Sequence, residues 1–129
     1  VAERALPKLT VLIEYQLIGS EAAFRTAISK LVARVQTAGH PGVLSYRFFV
    51  NPGAASARAV VDYASPDAWI GHHDISMAWP EMTAMHQVAR LTCVTFLGPL
   101  TTEIENWISG SNLNVQLDSG HDFAAGFQR

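Results

Sequence analysis

The sequence is short of charge, of cysteine and of long apolar runs, and each shortage removes a class of function. Only 16% of the 129 residues are Asp, Glu, Lys or Arg, and 9 basic side chains against 11 acidic ones leave a net charge of -2. That balance supplies no positive field of the kind that phosphate backbones or anionic lipid surfaces require, so neither nucleic acid nor a membrane is an expected partner. The one cysteine, Cys93, excludes an internal disulfide, and its place inside an apolar run reads as a small buried hydrophobe. No segment reaches the roughly 18 consecutive apolar residues of a membrane span, and no basic-then-apolar export pattern opens the chain, so the expected location is the cytoplasm. Histidines are present, but without the HxxxH or HxH spacing of a metal site; around His72, His73 and His86 the acids at hand are Asp74 and Glu81. No metal is expected.

What the sequence has is apolar material, at 49% of residues, in a chain long enough for one domain and too short for a second core. With so little charge to keep it in water, some of that apolar surface is expected against a partner. Residues 1–8 read as an N-terminal arm, 9–108 as the body and 109–129 as a C-terminal extension. Leu9, Val11, Ile13, Tyr15 and Leu17 alternate with Thr10, Glu14 and Gln16, the period of a half-buried strand. Ser20 then supplies an N-cap and Glu21 an early acid for a helix whose Phe24, Ala27, Ile28, Leu31, Val32 and Val35 share a face and which Gly39 ends. Residues 43–51 and 58–63 read as two further strands, joined by a hairpin loop that starts at Asn51, Pro52 and Gly53. Ser65, Pro66 and Asp67 begin a second helix, and Pro80, which inside a helix costs about 3 kcal/mol, breaks it and leaves 82–89 as a separate helical segment. A fourth strand at 91–97 and one or two helical turns at 102–108 complete the body. The last apolar cluster, 123–127, is too short to fold alone and is expected to dock on the body or on a second subunit.

The order strand, helix, strand, strand, helix, strand predicts an α+β fold of the ferredoxin-like βαββαβ type, with four antiparallel strands in one sheet and the helices on one face. The other face is then left bare. In the second strand Leu44, Tyr46, Phe48 and Val50 point one way, while Val43 and Phe49 join Ser45 and Arg47 on the other, so both sides require a cover. The sheet of an identical chain, in a two-fold homodimer, is the simplest one.

Several short runs carry a family likeness by their order and spacing: GVLSYRF at 42–48, then Asn51 and Pro52, ASPDAW at 64–69, the pair His72 and His73, and FLGP at 96–99. Through them residues 9–100 resemble the antibiotic biosynthesis monooxygenase-like family, and the closing AGFQR at 125–129 is similar to the tail of some members. The resemblance implies a dimeric α/β barrel and, at the level of class, oxidation of quinols or polycyclic aromatic phenols by dioxygen without a metal or organic cofactor. The same scaffold serves isomerisation, decarboxylation and haem degradation, so chemistry does not follow from fold. Where members often carry a second histidine followed by Phe, this chain has Ser76, Met77, Ala78 and Trp79.

Oxygenation without a cofactor needs a substrate that itself gives an electron to dioxygen, as an aromatic phenolate or enolate does. The protein then has to take the phenol proton, hold a dry pocket for flat rings and stabilise the anion. An imidazole suits the first task. His73 is favoured because it lies four residues after Trp69 on the same helix face, while neighbours on a helix point about 100° apart, so that His72 and His73 are not expected to serve one pocket. His86, between Met82, Met85 and Ala89, is the second catalytic candidate. Trp69, Trp79, Tyr15, Tyr46, Phe24 and Met82, with His72 beside them, supply the surface that a flat apolar ligand needs. Arg47 and Asn51 share a face of the second strand and are expected to donate hydrogen bonds to a phenolate, with Glu14 or Asp62 as the alternative partner of Arg47 at a dimer interface.

The expected function is therefore a cofactor-independent monooxygenase acting on a small aromatic substrate with dioxygen. A non-oxidative cyclase or isomerase uses the same groups without consuming oxygen. A non-catalytic ligand-binding dimer has a pocket too small for a ring system, or one filled by Trp69 and Trp79. Haem degradation ranks below these, because its asparagine, tryptophan and histidine find no matching positions.

Overall fold

The computed structural model describes residues 5–129, so residues 1–4 of the expected N-terminal arm lie outside the described part. The elements follow as β1 (Leu9–Leu17), α1 (Glu21–Ala38), β2 (Val43–Asn51), β3 (Ser56–Tyr63), α2 (Pro66–Ser76), α3 (Pro80–Val88), β4 (Ala89–Leu97), α4 (Thr102–Ser109) and β5 (Gln116–His121). Local chemistry sets the boundaries. The Ser20 and Ser65 side chains accept from the N–H groups of Ala23 and Ala68, satisfying donors that the first turns of α1 and α2 leave free. Gly39 ends α1 for a reason other than a left-handed turn: its φ is -82°, but a Cβ there would lie 2.5 Å from the Val35 carbonyl oxygen. Pro80 stands in the first turn of α3, behind an extended Trp79, and this separates α3 from α2.

The sheet order is β2-β3-β1-β4-β5. The first four strands are antiparallel, as βαββαβ chains are, but β5 adds a fifth strand parallel to β4, so the sheet is mixed rather than four-stranded and antiparallel. No periodicity announces β5: every residue of QLDSGH is exposed, and the strand forms by completing the open edge of β4. A second difference lies in β2, where the register shifts between Val43 and Ser45. Leu44 is consequently 54% exposed, while Tyr46, Phe48 and Val50 pack against the core.

Phe24, Leu31, Val11, Val61, Phe96 and Ile104 form the centre of a core between the helices and one sheet face. Burying each such side chain contributes about 1.5–3 kcal/mol. Arg34 of α1 holds α3 by donating to Glu81 at 2.6 Å and by lying 4.4 Å over the Trp79 ring. On the opposite sheet face stand Thr10, Leu12, Glu14, Val60, Asp62 and Thr95, over which no helix lies among the described residues. Cys93 belongs to that face, pairing across from Glu14, and is half-buried rather than a core residue. Among the described residues no helix is long and apolar enough to cross a membrane.

Candidate active site

A cavity of about 590 Å³ is bounded by the helix-side sheet face, by α2, α3 and α4, and by the loop at 111–115. β1 contributes Val11, Ile13 and Tyr15, β2 and β3 contribute Tyr46 and Tyr63, and β4 contributes Leu91, Val94 and Phe96. Trp69, His72 and His73 enter from α2, Met82, Met85 and His86 from α3, and Trp107 and Ile108 from α4. Its volume falls in the range of sites that enclose small organic ligands, and most of its wall is apolar or aromatic. At the mouth lie the exposed His86, Arg90, Asn112 and Asn114.

Trp69 and His73 stack at 3.9 Å between ring centroids, and Trp107 meets both edge-on at 5.2 Å. The Nδ1 of His73 lies 2.7 Å from the Trp69 carbonyl oxygen. A carbonyl only accepts, so Nδ1 carries the proton, and Nε2 on the distal edge of the neutral ring keeps a lone pair. Burial pushes the His73 pKa down to about 4, against the opposing pull of the Trp69 carbonyl and the Asp74 carboxylate. At neutral pH the ring is an uncharged base of fixed tautomer.

His72 lies against the sheet instead, edge-on to Tyr46 at 5.4 Å and tilted to Tyr63 at 6.0 Å. It is 2% exposed, and its Nδ1 has no hydrogen-bond partner among the described residues. Burial, then the neighbouring His73 and His40, holds its pKa near 3. Both histidines thus border one cavity, contrary to the expectation from their 100° separation, because the cavity wraps around α2 from the sheet to α4. Burial raises the phenols of Tyr15, Tyr46 and Tyr63 well above their ordinary value, so all three remain neutral hydroxyls.

Of the residues singled out from sequence, His73, His86, Trp69, Tyr15, Tyr46, His72 and Met82 line the cavity. Four are placed elsewhere. Phe24 is fully buried in the core and borders a separate groove of about 570 Å³ between α1 and β2. Trp79 lies under Arg34, on the α1 side of the helix break. Arg47 is exposed on the outer sheet face, because strand alternation turns it away from Tyr46 and Phe48. Glu14 pairs with Arg58 at 3.3 Å and Asp62 accepts from Thr10 at 2.6 Å, so neither carboxylate is engaged with Arg47. Asn51 is exposed at the hairpin turn and its side chain caps nothing. Sequence reasoning missed Trp107, Tyr63 and Arg90; Ile104, Trp107 and Ile108, at helical spacing, were the available signal for the first. Among the described residues no group of three His, Cys, Asp or Glu side chains is arranged to hold a metal ion.

No family model matches the chain, and no curated protein matches it in sequence. Solved structures do. MupZ from Pseudomonas fluorescens matches with a TM-score of 0.65 at 12% identity, over 94% of this chain and 93% of its own, a share that takes in residues of the C-terminal extension. SnoaB, a cofactor-independent oxygenase from Streptomyces nogalater, matches with a TM-score of 0.56 at 15% identity, over 74% of this chain and 96% of its own. An antibiotic biosynthesis monooxygenase matches with a TM-score of 0.50 at 17% identity, over 72% of this chain and 99% of its own. The chain therefore has the antibiotic biosynthesis monooxygenase-like fold, and identities this low speak for the fold alone.

Proposed function

We propose that the protein is a cofactor-independent monooxygenase that oxidises a quinol or polycyclic aromatic phenol with dioxygen in this cavity. The observation that carries the reading is the His73 ring, fixed as an Nδ1–H tautomer against the Trp69 carbonyl inside an aromatic pocket. Its Nε2 accepts the phenol proton, and the phenolate left beside it favours the imidazolium, so proton transfer and anion formation support each other. The phenolate passes one electron to dioxygen, and the radical pair recombines with a new C–O bond at a ring carbon. The imidazolium returns the proton to the resulting peroxide. Loss of the ring C–H proton with cleavage of the O–O bond releases water and leaves a quinone carbonyl. Trp69, Trp107 and the methionines bind the flat rings and exclude water, and the neutral Tyr15 hydroxyl is a donor for the anion.

The active unit in this reading is a two-fold dimer, closed over the uncovered sheet face that holds Leu12, Val60 and the 54% exposed Phe49. Oxygen uptake in the presence of hydroquinones and naphthols tests the function, with His73→Ala and His86→Ala beside the wild type. His73→Ala is expected to lower turnover by about 10²–10⁴-fold and His86→Ala to leave it within a few fold. Product formation without oxygen uptake would replace the reading with a non-oxidative cyclase or isomerase, and unchanged uptake in His73→Ala would remove the histidine base.

A further inference from the structure

The mechanism above makes no use of His72, and yet its position is costly. A buried polar atom with no partner is rare in folded proteins, because its lost hydration is not returned. His72 Nδ1 is such an atom, in a ring that is 2% exposed and borders the cavity. No Lys, Arg, Asp or Glu side chain is among the groups that act on that ring. Tyr46 and Tyr63 flank it, and the ionisable groups that act on it are His73 and His40. Those acting on Tyr46 are Tyr15 and Tyr63. The permanently charged side chain of the cavity wall, Arg90, stands at the exposed mouth, donating to Gln16 at 2.5 Å.

We propose that the inner end of the cavity, around His72, Tyr46 and Tyr63, is a subsite for an uncharged oxygen function of the ligand, a ring hydroxyl or carbonyl, and that it rejects carboxylates. This rests on the cavity being the substrate site. A neutral imidazole offers one donor and one acceptor, and a half-turn of the ring about its Cβ–Cγ bond exchanges the polar and carbon positions on its edges. A hydroxyl or carbonyl that reaches it satisfies the orphaned nitrogen. A carboxylate arriving there loses its hydration and meets no cation. An analogue with a methyl group in place of the hydroxyl leaves the ring unpaired, the situation in which buried polar sites discriminate most strongly. The substrate class is thereby narrowed to flat aromatic compounds whose innermost ring bears a neutral hydroxyl or keto group.

Equilibrium dialysis under nitrogen, which reads binding without turnover, tests this with 1-naphthol, 1-methylnaphthalene and 1-naphthoate. The wild type is expected to hold 1-naphthol about tenfold more tightly than the methyl analogue and 1-naphthoate most weakly of the three. His72→Leu should erase the preference for the hydroxyl while changing affinity for 1-methylnaphthalene less than about threefold. His72→Asn, which restores a polar atom near the Nδ1 position, should recover part of it. Equal affinities for naphthol and methylnaphthalene in the wild type, tightest binding of naphthoate, or a tenfold preference that persists in His72→Leu would each overturn the proposal. The wild-type comparison decides it even where a variant fails to fold. Absence of oxygen uptake with a retained hydroxyl preference would sink the oxygenase reading and leave the subsite standing.

Discussion

Ser76, one turn after His72 on α2, is fully buried and its hydroxyl has no partner among the described residues. Unlike His72 it does not line the cavity, so no ligand relieves it. Replacing it by Ala removes the unpaired group and improves helix propensity, and Ser76→Ala should stabilise the fold by about 1 kcal/mol. A urea midpoint that moves up at constant m-value is the expected result, and a lower midpoint would mean that the hydroxyl is in fact satisfied. The histidines make a second prediction. His72 and His73 are held neutral, with pKa values of about 3 and about 4, against about 6.5 in an unfolded chain. Between pH 6.5 and 5 the unfolded chain therefore binds more protons than the native one, and stability is lost as the pH falls through that window. Each imidazole contributes a slope approaching about 1.4 kcal/mol per pH unit. Urea denaturation of the wild type and His72→Phe from pH 7 to 5 should show a clearly shallower slope in the variant, whatever its stability at pH 7. Parallel slopes would contradict a buried, neutral His72.

At the scale of elements, α4 closes one side of the cavity, and the contact that ties it to α2 is specific: Trp107 Nε1 donates to Asp74 Oδ1 at 2.8 Å, with the indole edge on Trp69. The bond lies at the surface, where a hydrogen bond to a charged group is still worth about 1 kcal/mol. Asp74→Ala should therefore speed amide exchange in 102–115 severalfold while leaving β1, β3 and β4 protected, whereas Asp74→Asn, which keeps an acceptor, should resemble the wild type. Uniform acceleration over the whole chain would show a global loss of stability instead of a released helix. Burial on one face and a strict period make an element legible in the sequence. β1 and α1 were legible because one face is buried and the period is strict, from Leu9 to Leu17 and from Phe24 to Val35. The Pro80 break was legible because proline removes a backbone donor. β5 was not, since its pairing depends on the edge of β4 and its own side chains are all exposed. Arg47 and Asn51 were misplaced relative to the cavity for a related reason: alternation says which residues share a strand face but not which face the helices cover. The joint presence of His72 and His73 in one cavity depends on the curvature of the space around α2, which no one-dimensional spacing records.

For the whole molecule the unresolved balance is between apolar residues and the surface that one chain can hide. The helices occupy one face of the sheet. On the other, Leu12 of β1 and Val60 of β3 lie opposite each other in register, flanked by Thr10, Thr95 and the Arg58–Glu14 pair. Phe49 and Leu97, at 54% and 38% exposure, continue the same surface toward its two sides. A contiguous patch of this kind is expected to meet a complementary one, and in the proposed dimer a two-fold axis would supply it from an identical chain. A stable pairing hides about 800 Å² on each partner, an area that a face spanning four strands can provide. Placing a carboxylate at the centre of that contact buries two like charges across the axis without a counter-ion. Val60→Asp should therefore convert a dimer into a monomer in sedimentation equilibrium at micromolar concentration, whereas Thr26→Asp, exposed on α1 across the sheet from the patch, should leave the mass unchanged. A wild-type chain that sediments as a monomer would refute the dimer directly. Because β1 and β3 also carry Tyr15 and Tyr63 on their opposite sides, the Val60→Asp monomer should bind aromatic ligands more weakly even though no cavity residue is altered.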